Sequence, residues 1–348
     1  MICAQDKNGK LYAADEVSRK KARHLLCPGC HRPVLLRRGE QVIAHFAHLA
    51  GQCCEYESEA ESQEHIRGKL MLADALSGQG YQIEMEAYLP QIKQRPDLLV
   101  NQKYPLEIQC SDLSFRRLKE RNDGYRSIGM TPHWILGEKF LPDRKLTPFH
   151  KACLFEINGE PTLAFLNARE EGLLLLSHFK SVNRSERVSF IRRVSDFDQM
   201  TDDLPFSDKR IVEPRVQIAR NKKLFAESVH YQNPKIRPFC QQLYKAGQTW
   251  LDLPDIVFHT ISSEWMLAGV PEYWKWLFVK EFLAGSSRLI TRKDIKNWLQ
   301  KNPIQWHYLP FLSETTQYRP LNEWLKLLEE NDYISQKSKT VWLVKNNI

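Results

Sequence analysis

Residues 94–111 read QRPDLLVNQKYPLEIQCS. Two short apolar runs, 98–100 and 106–108, flank the polar tip Asn101-Gln102-Lys103, and a carboxylate belongs to each side, Asp97 and Glu107. If the tip is the loop of a hairpin, Val100 faces Tyr104, Leu99 faces Pro105 and Asp97 falls opposite Glu107. The two-residue period of a strand then puts Leu98, Val100, Leu106 and Ile108 on one face, with Asp97, Leu99, Glu107 and Gln109 on the other. Two facing carboxylates repel, and each raises the other's pKa. A hard divalent cation, Mg²⁺ or Mn²⁺, relieves that repulsion and takes oxygen ligands of this kind. The competing reading is an exposed hairpin end with two ordinary surface acids.

The flanking segments give the hairpin a setting. Upstream, Ser58 and Glu61 have capping-box spacing, which predicts a helix from near Ser58. Ile66, Leu70, Ala73 and Leu76 form its apolar stripe, and Glu61, His65 and Lys69 recur four apart on a neighbouring face. A Gly-Gln-Gly break and the alternating YQIEMEAY predict a strand. Downstream, SDLSFRRLKERNDGYRSIG reads as a basic amphipathic helix and PHWILG as a buried strand. The order is helix, three strands, helix, strand.

The N-terminal region carries a second pattern. Five of the eight cysteines lie in the first 54 residues, spaced Cys27-x2-Cys30-x14-His45-x2-His48-x4-Cys53-Cys54. Clustered Cys and His point to metal before disulfide. A C-x2-C knuckle supplies two of zinc's four ligands from one turn, and Pro28-Gly29 suits that turn. A redox dithiol is the rival reading of CPGC, but it expects a βαβ setting and leaves the later His and Cys without a role.

The helix–strand order, with Asp-x9-Glu-x-Gln on the second and third strands, resembles the restriction-endonuclease-like PD-(D/E)XK core. The series CPGC…HFAH…C, ESQEHIRGK, RPDLLV, EIQCS and HWILG, over roughly residues 1–140, resembles the competence protein CoiA family. The resemblance implies an α/β nuclease-like core in which Asp97 and Glu107 hold a catalytic Mg or Mn ion. Glu61 would complete the acidic shell, His65 and Lys69 would line the cleft, and Gln109 stands where such enzymes usually have lysine. A neutral amide orients water but supplies no charge. Either Lys69 substitutes for the missing lysine, or the site binds DNA without cleaving it. The preferred zinc set is Cys27, Cys30, His48 and Cys53, with His45 as the alternative ligand.

The implied function is metal-dependent phosphodiester hydrolysis on DNA in natural competence, transformation and recombination. Single-stranded DNA and the RecA recombinase are the implied partners. The alternatives are a non-catalytic DNA-binding or recombinase-loading module, and a zinc-dependent scaffold that binds only proteins. A formal net charge of +8 is compatible with a polyanionic partner. Arg116, Arg117, Lys119, Arg121 and Arg126, just after the hairpin, either contact phosphate or form a solvated face balanced by Asp112, Glu120 and Asp123.

The expected organisation is a zinc-binding segment over 1–54, the nuclease-like domain over 55–148, a mixed α/β extension over 149–240 and a helical domain over 241–348. In the last, TRKDIKNWLQ followed by RPLNEWLKLLEENDYISQKSKTVWLV resembles a winged-helix arrangement. Eight of the nine tryptophans lie at or beyond Trp250, and they read as core. The first residues lack the pattern of a signal peptide. EGLLLLSHF is far short of the roughly 20 apolar residues needed to span a bilayer. The expected location is the cytoplasm.

Overall fold

The computed structural model describes residues 1–40, 42–49, 62–167, 172–182, 188–195, 214–285, 288–302 and 304–345. At the N-terminus, β1 (Cys3–Gln5) and β2 (Leu11–Ala13) pair through the Asn8-Gly9 turn, with Gly9 at φ 82°. The short helix α1 (Arg19–Ala22), capped by Ser18, leads into the hairpin of β3 (Val34–Gly39) and β4 (Val42–His48). Ala4, Leu25, Val34 and Phe46 belong to a small core of their own.

Helix α2 (Gln63–Gly78) begins at the N-cap Ser62, whose hydroxyl accepts the His65 N–H. The start therefore falls four residues after the expected Ser58, because Ser62 supplies the same cap. Ser58 and Glu61 lie outside the described residues. The buried stripe is Ile66, Gly68, Lys69, Leu72 and Ala73, so the expected stripe through Leu70 and Leu76 is rotated, and both of those are half-buried. Gly68 accounts for the rotation. A Cβ there would lie 2.6 Å from Leu166 Cδ1, so this is the line along which the helix presses on the sheet. Lys69 is thereby carried into the interior.

The sheet uses β5 (Ile83–Met85), β6 (Leu98–Val100), β7 (Tyr104–Gln109) and, after α3 (Phe115–Ser127), β8 (His133–Leu136). After α4 (Pro148–Ala152) come β9 (Phe155–Ile157), β10 (Glu160–Asn167), β11 (Gly172–Ser181) and β12 (Val188–Ser195). The order is β5-β6-β7-β8-β10-β11-β12, with β9 paired to β10 through a second Asn-Gly turn. Among the described residues, β7–β8 and β8–β10 are the parallel pairs of this sheet. Strands β9–β12, read from sequence as part of a separate extension, continue the same sheet. Pairing with β10 closes what would otherwise be an open edge along β8.

The β6–β7 register is Leu98↔Leu106, Leu99↔Pro105 and Val100↔Tyr104, as the loop at 101–103 requires. Asn101 and Gln102 both take positive φ, 49° and 54°, within this three-residue loop. Alternation then sorts the core. Leu98, Ile108, Ile135 and Ala164 pack with Leu72 and Ala73 of α2. Trp134, Leu136, Leu163 and Phe165 pack with Leu118 of α3 on the opposite face.

The C-terminal part comprises α5 (Pro214–His230), α6 (Arg237–Lys245), α7 (Pro271–Phe278), β13 (Leu289–Thr291), α8 (Arg292–Lys301), α9 (Glu314–Gln317), α10 (Arg319–Glu330), β14 (Ile334–Ser338) and β15 (Val341–Val344). Its three strands form an antiparallel sheet in the order β13-β15-β14. The Thr291–Asp294 capping box is present. Trp274, Trp276, Trp298, Trp324 and Trp342 are core residues here, with Trp274 and Trp324 edge to face at 5.5 Å. Trp265, Met266, Leu309 and Leu312 leave this core and pack on the α3 side of the main sheet.

Candidate functional site

Asp97 precedes β6, where no ladder partner claims its side chain. Its Oδ2 accepts the Ile108 N–H at 2.8 Å. Its Oδ1 meets His65 Nε2 at 2.9 Å and Lys69 Nζ at 3.0 Å. Burial alone would push this carboxyl up. The charges of His65 and Lys69, with the hydrogen bonds from His65 and the Ile108 amide, outweigh it and hold Asp97 well below the usual carboxylate range.

Glu107 is 3% exposed, and its partners come from α3. Arg121 Nη2 and the Tyr125 hydroxyl both donate to its Oε1. Burial raises the Glu107 carboxyl, the opposing pull of Arg121 notwithstanding, and the nearby negative charge of Asp97 adds to the rise. Burial also keeps the Tyr125 phenol protonated, so it remains a donor. The sequence reading put the two acids on one shared patch. That shared face does not hold: Asp97 is held by His65 and Lys69 of α2, and Glu107 by Arg121 and Tyr125 of α3, the helix on the opposite face of the sheet.

Gln109 ends β7, and its amide donates to the Ser111 carbonyl at 2.9 Å and hydroxyl at 3.3 Å. Glu61 lies outside the described residues. His65 and Lys69 do meet at the hairpin, both on Asp97. The α3 cations split. Arg121 is an interior residue that also donates to the Arg95 carbonyl at 3.3 Å, so its expected place on a phosphate-contacting face does not hold. Arg116 and Arg117 pair with Glu120, and Lys119 and Arg126 with Asp123, all one turn away on the same helix. This is the balanced, solvated face.

Two participants were not read from the sequence. Glu86 is buried, and its Oε1 accepts from Lys69 Nζ at 2.8 Å and from the Ile2 N–H at 2.9 Å. Lys69 thus bridges two carboxylates, and Glu86 ties the N-terminal segment to the hairpin cluster. The available signal was Lys69 itself, three residues from both Ile66 and Leu72 and so inside an apolar stripe. Tyr125 was the other, one turn beyond Arg121.

In the N-terminal segment, Cys27, Cys30 and His48 come together. Among the described residues this is the one group of three such side chains whose ligand atoms all lie within 4.8 Å of one another. Cys30 Sγ and His48 Nε2 are 3.3 Å apart, close to the roughly 3.5 Å edge that zinc bond lengths give in a tetrahedron. The donor set of two thiols and an imidazole suits a soft or borderline ion such as zinc. His45, the alternative ligand, is not in the group. It is three positions from His48 on β4 and so faces the other way, with Nδ1 2.8 Å from the Ile43 carbonyl oxygen. Cys53 lies outside the described residues.

A mixed sheet flanked by α2 and α3, with acids, a buried lysine and a histidine at one hairpin and a metal-capable Cys/His segment beside it, defines a nuclease-like α/β protein. The family model described as the competence protein CoiA nuclease-like domain matches residues 61–208, and that of the CoiA N-terminal domain matches residues 10–57. The chain belongs to the competence protein CoiA family. Competence protein CoiA of Bacillus subtilis (strain 168) is 27% identical over 208 residues, which is 58% of this chain and 56% of that protein. No solved structure gives a significant match. No helix among the described residues is long and apolar enough to cross a membrane.

Proposed function

We propose that the protein is a metal-dependent nuclease acting on DNA during natural transformation, with a PD-(D/E)XK-type site at the β6–β7 hairpin. The observation that carries this reading is Lys69. Its ammonium lies 3.0 Å from Asp97 Oδ1 and supplies, from α2, the positive charge that Gln109 does not. Asp97 and Glu107 are hard oxygen donors that suit Mg²⁺ or Mn²⁺. Bound there, the ion would polarise the phosphate and acidify a water. Lys69 keeps Asp97 ionised and fixed in place from inside the fold, His65 holds a proton against Asp97 Oδ1, and Gln109 orients water through its amide.

The test is cleavage of single- and double-stranded DNA with added Mg²⁺ or Mn²⁺, comparing wild type with Asp97→Ala. A metal-dependent product that falls by at least about a hundredfold in the variant is the expected result. One observation favours a second reading. Arg121 already neutralises Glu107, as in a nuclease fold retained for DNA binding or recombinase loading. No cleavage by either protein, with salt-sensitive DNA binding by both, would establish that reading in its place.

The Cys27–Cys30–His48 group is proposed as a structural zinc site with a fourth ligand at Cys53. Purified wild-type protein should carry zinc, and Cys30→Ser should lose it in elemental analysis. The same variant should unfold at lower temperature, because a segment with so small a core draws folding energy from its metal. Zinc retained by Cys30→Ser would exclude the assignment. The C-terminal unit, in which β13, α8, α10, β14 and β15 follow one another along the chain, is proposed as a winged-helix-like, protein-binding module. Helix α10 carries Arg319 and Lys326 against Glu323, Glu329 and Glu330, which is the wrong sign for entering a DNA groove.

A further inference from the structure

We infer that the cleft between the β3–β4 hairpin, α1 and the start of α2 is the binding track for a single DNA strand feeding the Asp97 cluster. This rests on the nuclease-like reading for its direction, not for its chemistry. The cleft has a volume of about 820 Å³ and is lined by Arg19, Arg23, Arg37 and Arg38, with no carboxylate among the described residues that line it. Its size is that of a pocket enclosing a short piece of chain, and a duplex would have to lie across its mouth.

The four arginines divide by what already holds them. Arg38 is braced by the carbonyls of Ala14 and Asp15, and Arg19 donates to the Arg38 carbonyl at 3.3 Å. These two shape the wall. Arg23 and Arg37 are exposed and have no ion pair among the described residues. They contrast with Arg116, Arg117, Lys119 and Arg126, each satisfied by an acid on its own helix. Guanidinium groups that have no ion pair among the described residues and line one cleft, in a protein of net charge +8, offer bidentate sites for phosphate.

Between the arginines the lining is apolar. Leu35 is 49% exposed and Val42 39% exposed, costly positions for aliphatic side chains unless something covers them. A single strand presents base faces as well as phosphates, whereas a duplex hides its bases in the stack. That combination commits the cleft to single-stranded DNA. The cleft adjoins the start of the helix that serves the site. Gln63 lines it and accepts the Ile43 N–H at 3.0 Å, joining hairpin to helix. His65, in the same first turn of α2, is the residue that touches Asp97.

The test measures binding of fluorescein-labelled oligothymidylate to the full chain without added divalent metal, over a salt series. Arg23→Glu/Arg37→Glu should lose about tenfold or more in affinity at physiological salt. Its plot of log affinity against log salt should be shallower by about 1.4, two phosphates at about 0.7 each. That result supports the track whether or not wild type cleaves DNA, since cleavage is scored separately with Asp97→Ala. Wild-type affinity and slope in the double variant would overturn it. Tighter binding of a duplex of the same length than of the strand would overturn the assignment to single strands. A measurement on the unmodified chain guards against a misfolded variant. Oligothymidylate should protect Arg23 and Arg37 from phenylglyoxal, read by mass spectrometry, and unprotected arginines would refute the proposal.

Discussion

Lys69→Met is expected to cost about 3–5 kcal/mol of folding stability at neutral pH, the range for removing one partner from a buried ionic cluster. Lys69 is 1% exposed and its ammonium reaches Glu86 Oε1 at 2.8 Å and Asp97 Oδ1 at 3.0 Å. Methionine matches the stem and packs against the same stripe, so the loss isolates the charge. Two buried carboxylates are left with less compensation. Asp97 retains His65 and the Ile108 amide, and Glu86 retains the Ile2 amide.

The pH dependence follows in sign. Asp97 is depressed in the folded wild type, so its stabilisation is full above the ordinary aspartate value near ~3.9 and is lost as pH falls through the folded value. Without Lys69 the Asp97 carboxyl moves up, so the deficit of the variant narrows as the solution is acidified. Urea unfolding at neutral pH and in mild acid measures both. A variant as stable as wild type at neutral pH would mean that the ammonium is not a buried clamp. Under the nuclease reading the same substitution abolishes cleavage, while a Lys69→Arg control restores charge but not the compact point contact.

How far the sequence carried the fold can be seen at three residues. Asn101 marked the hairpin tip, because a three-residue loop at 101–103 leaves one register, and that register put Asp97 level with Glu107. The direction of each carboxylate was not legible, because it depends on partners far along the chain. Ile108 offers its amide to Asp97 across the hairpin, and α3 returns 14 residues after Glu107 with Arg121. Arg121 itself was read with its neighbours as one basic stretch. The buried face of α3 is Leu118, Asn122 and Tyr125, and Arg121 lies three residues from Leu118 and four from Tyr125, whereas Arg116 and Arg117 have no member of that face at either spacing. Lys69 was read as a lysine on the flank of the stripe, because Leu70 and Leu76 looked like the core positions. The close approach at Gly68 that turns the helix depends on Leu166, nearly a hundred residues away and on a strand assigned to another region. Local patterning gave the elements, and contacts between distant elements decided which polar groups are inside.

Arg121→Met should act in two opposite directions, and this separates the two readings of the site. Arg121 lies over the Trp134 ring at 5.8 Å and donates to Glu107 in the interior. Its removal leaves Glu107 with the Tyr125 hydroxyl as its side-chain donor and should cost about 3–5 kcal/mol in metal-free buffer. Burial already raises the Glu107 carboxyl, and without the guanidinium it rises further, so this deficit too narrows on acidification. The double variant Glu107→Gln/Arg121→Met should then be more stable than the sum of its single variants predicts, because a neutral amide does not need the cation. Metal acts the other way. If Glu107 is a ligand in the working site, it must part from Arg121 to bind Mn²⁺, and the wild-type chain spends binding energy on that separation. The variant has no such pair to break. Mn²⁺ should therefore raise its unfolding temperature more than that of wild type, since a ligand at a hundred times its dissociation constant stabilises by about 2.7 kcal/mol. Equal shifts in the two proteins would mean that Glu107 and Arg121 remain paired when metal is present. The pair would then be a permanent strut between β7 and α3, and the hairpin would be a DNA-binding relic of a nuclease site with its acid locked away.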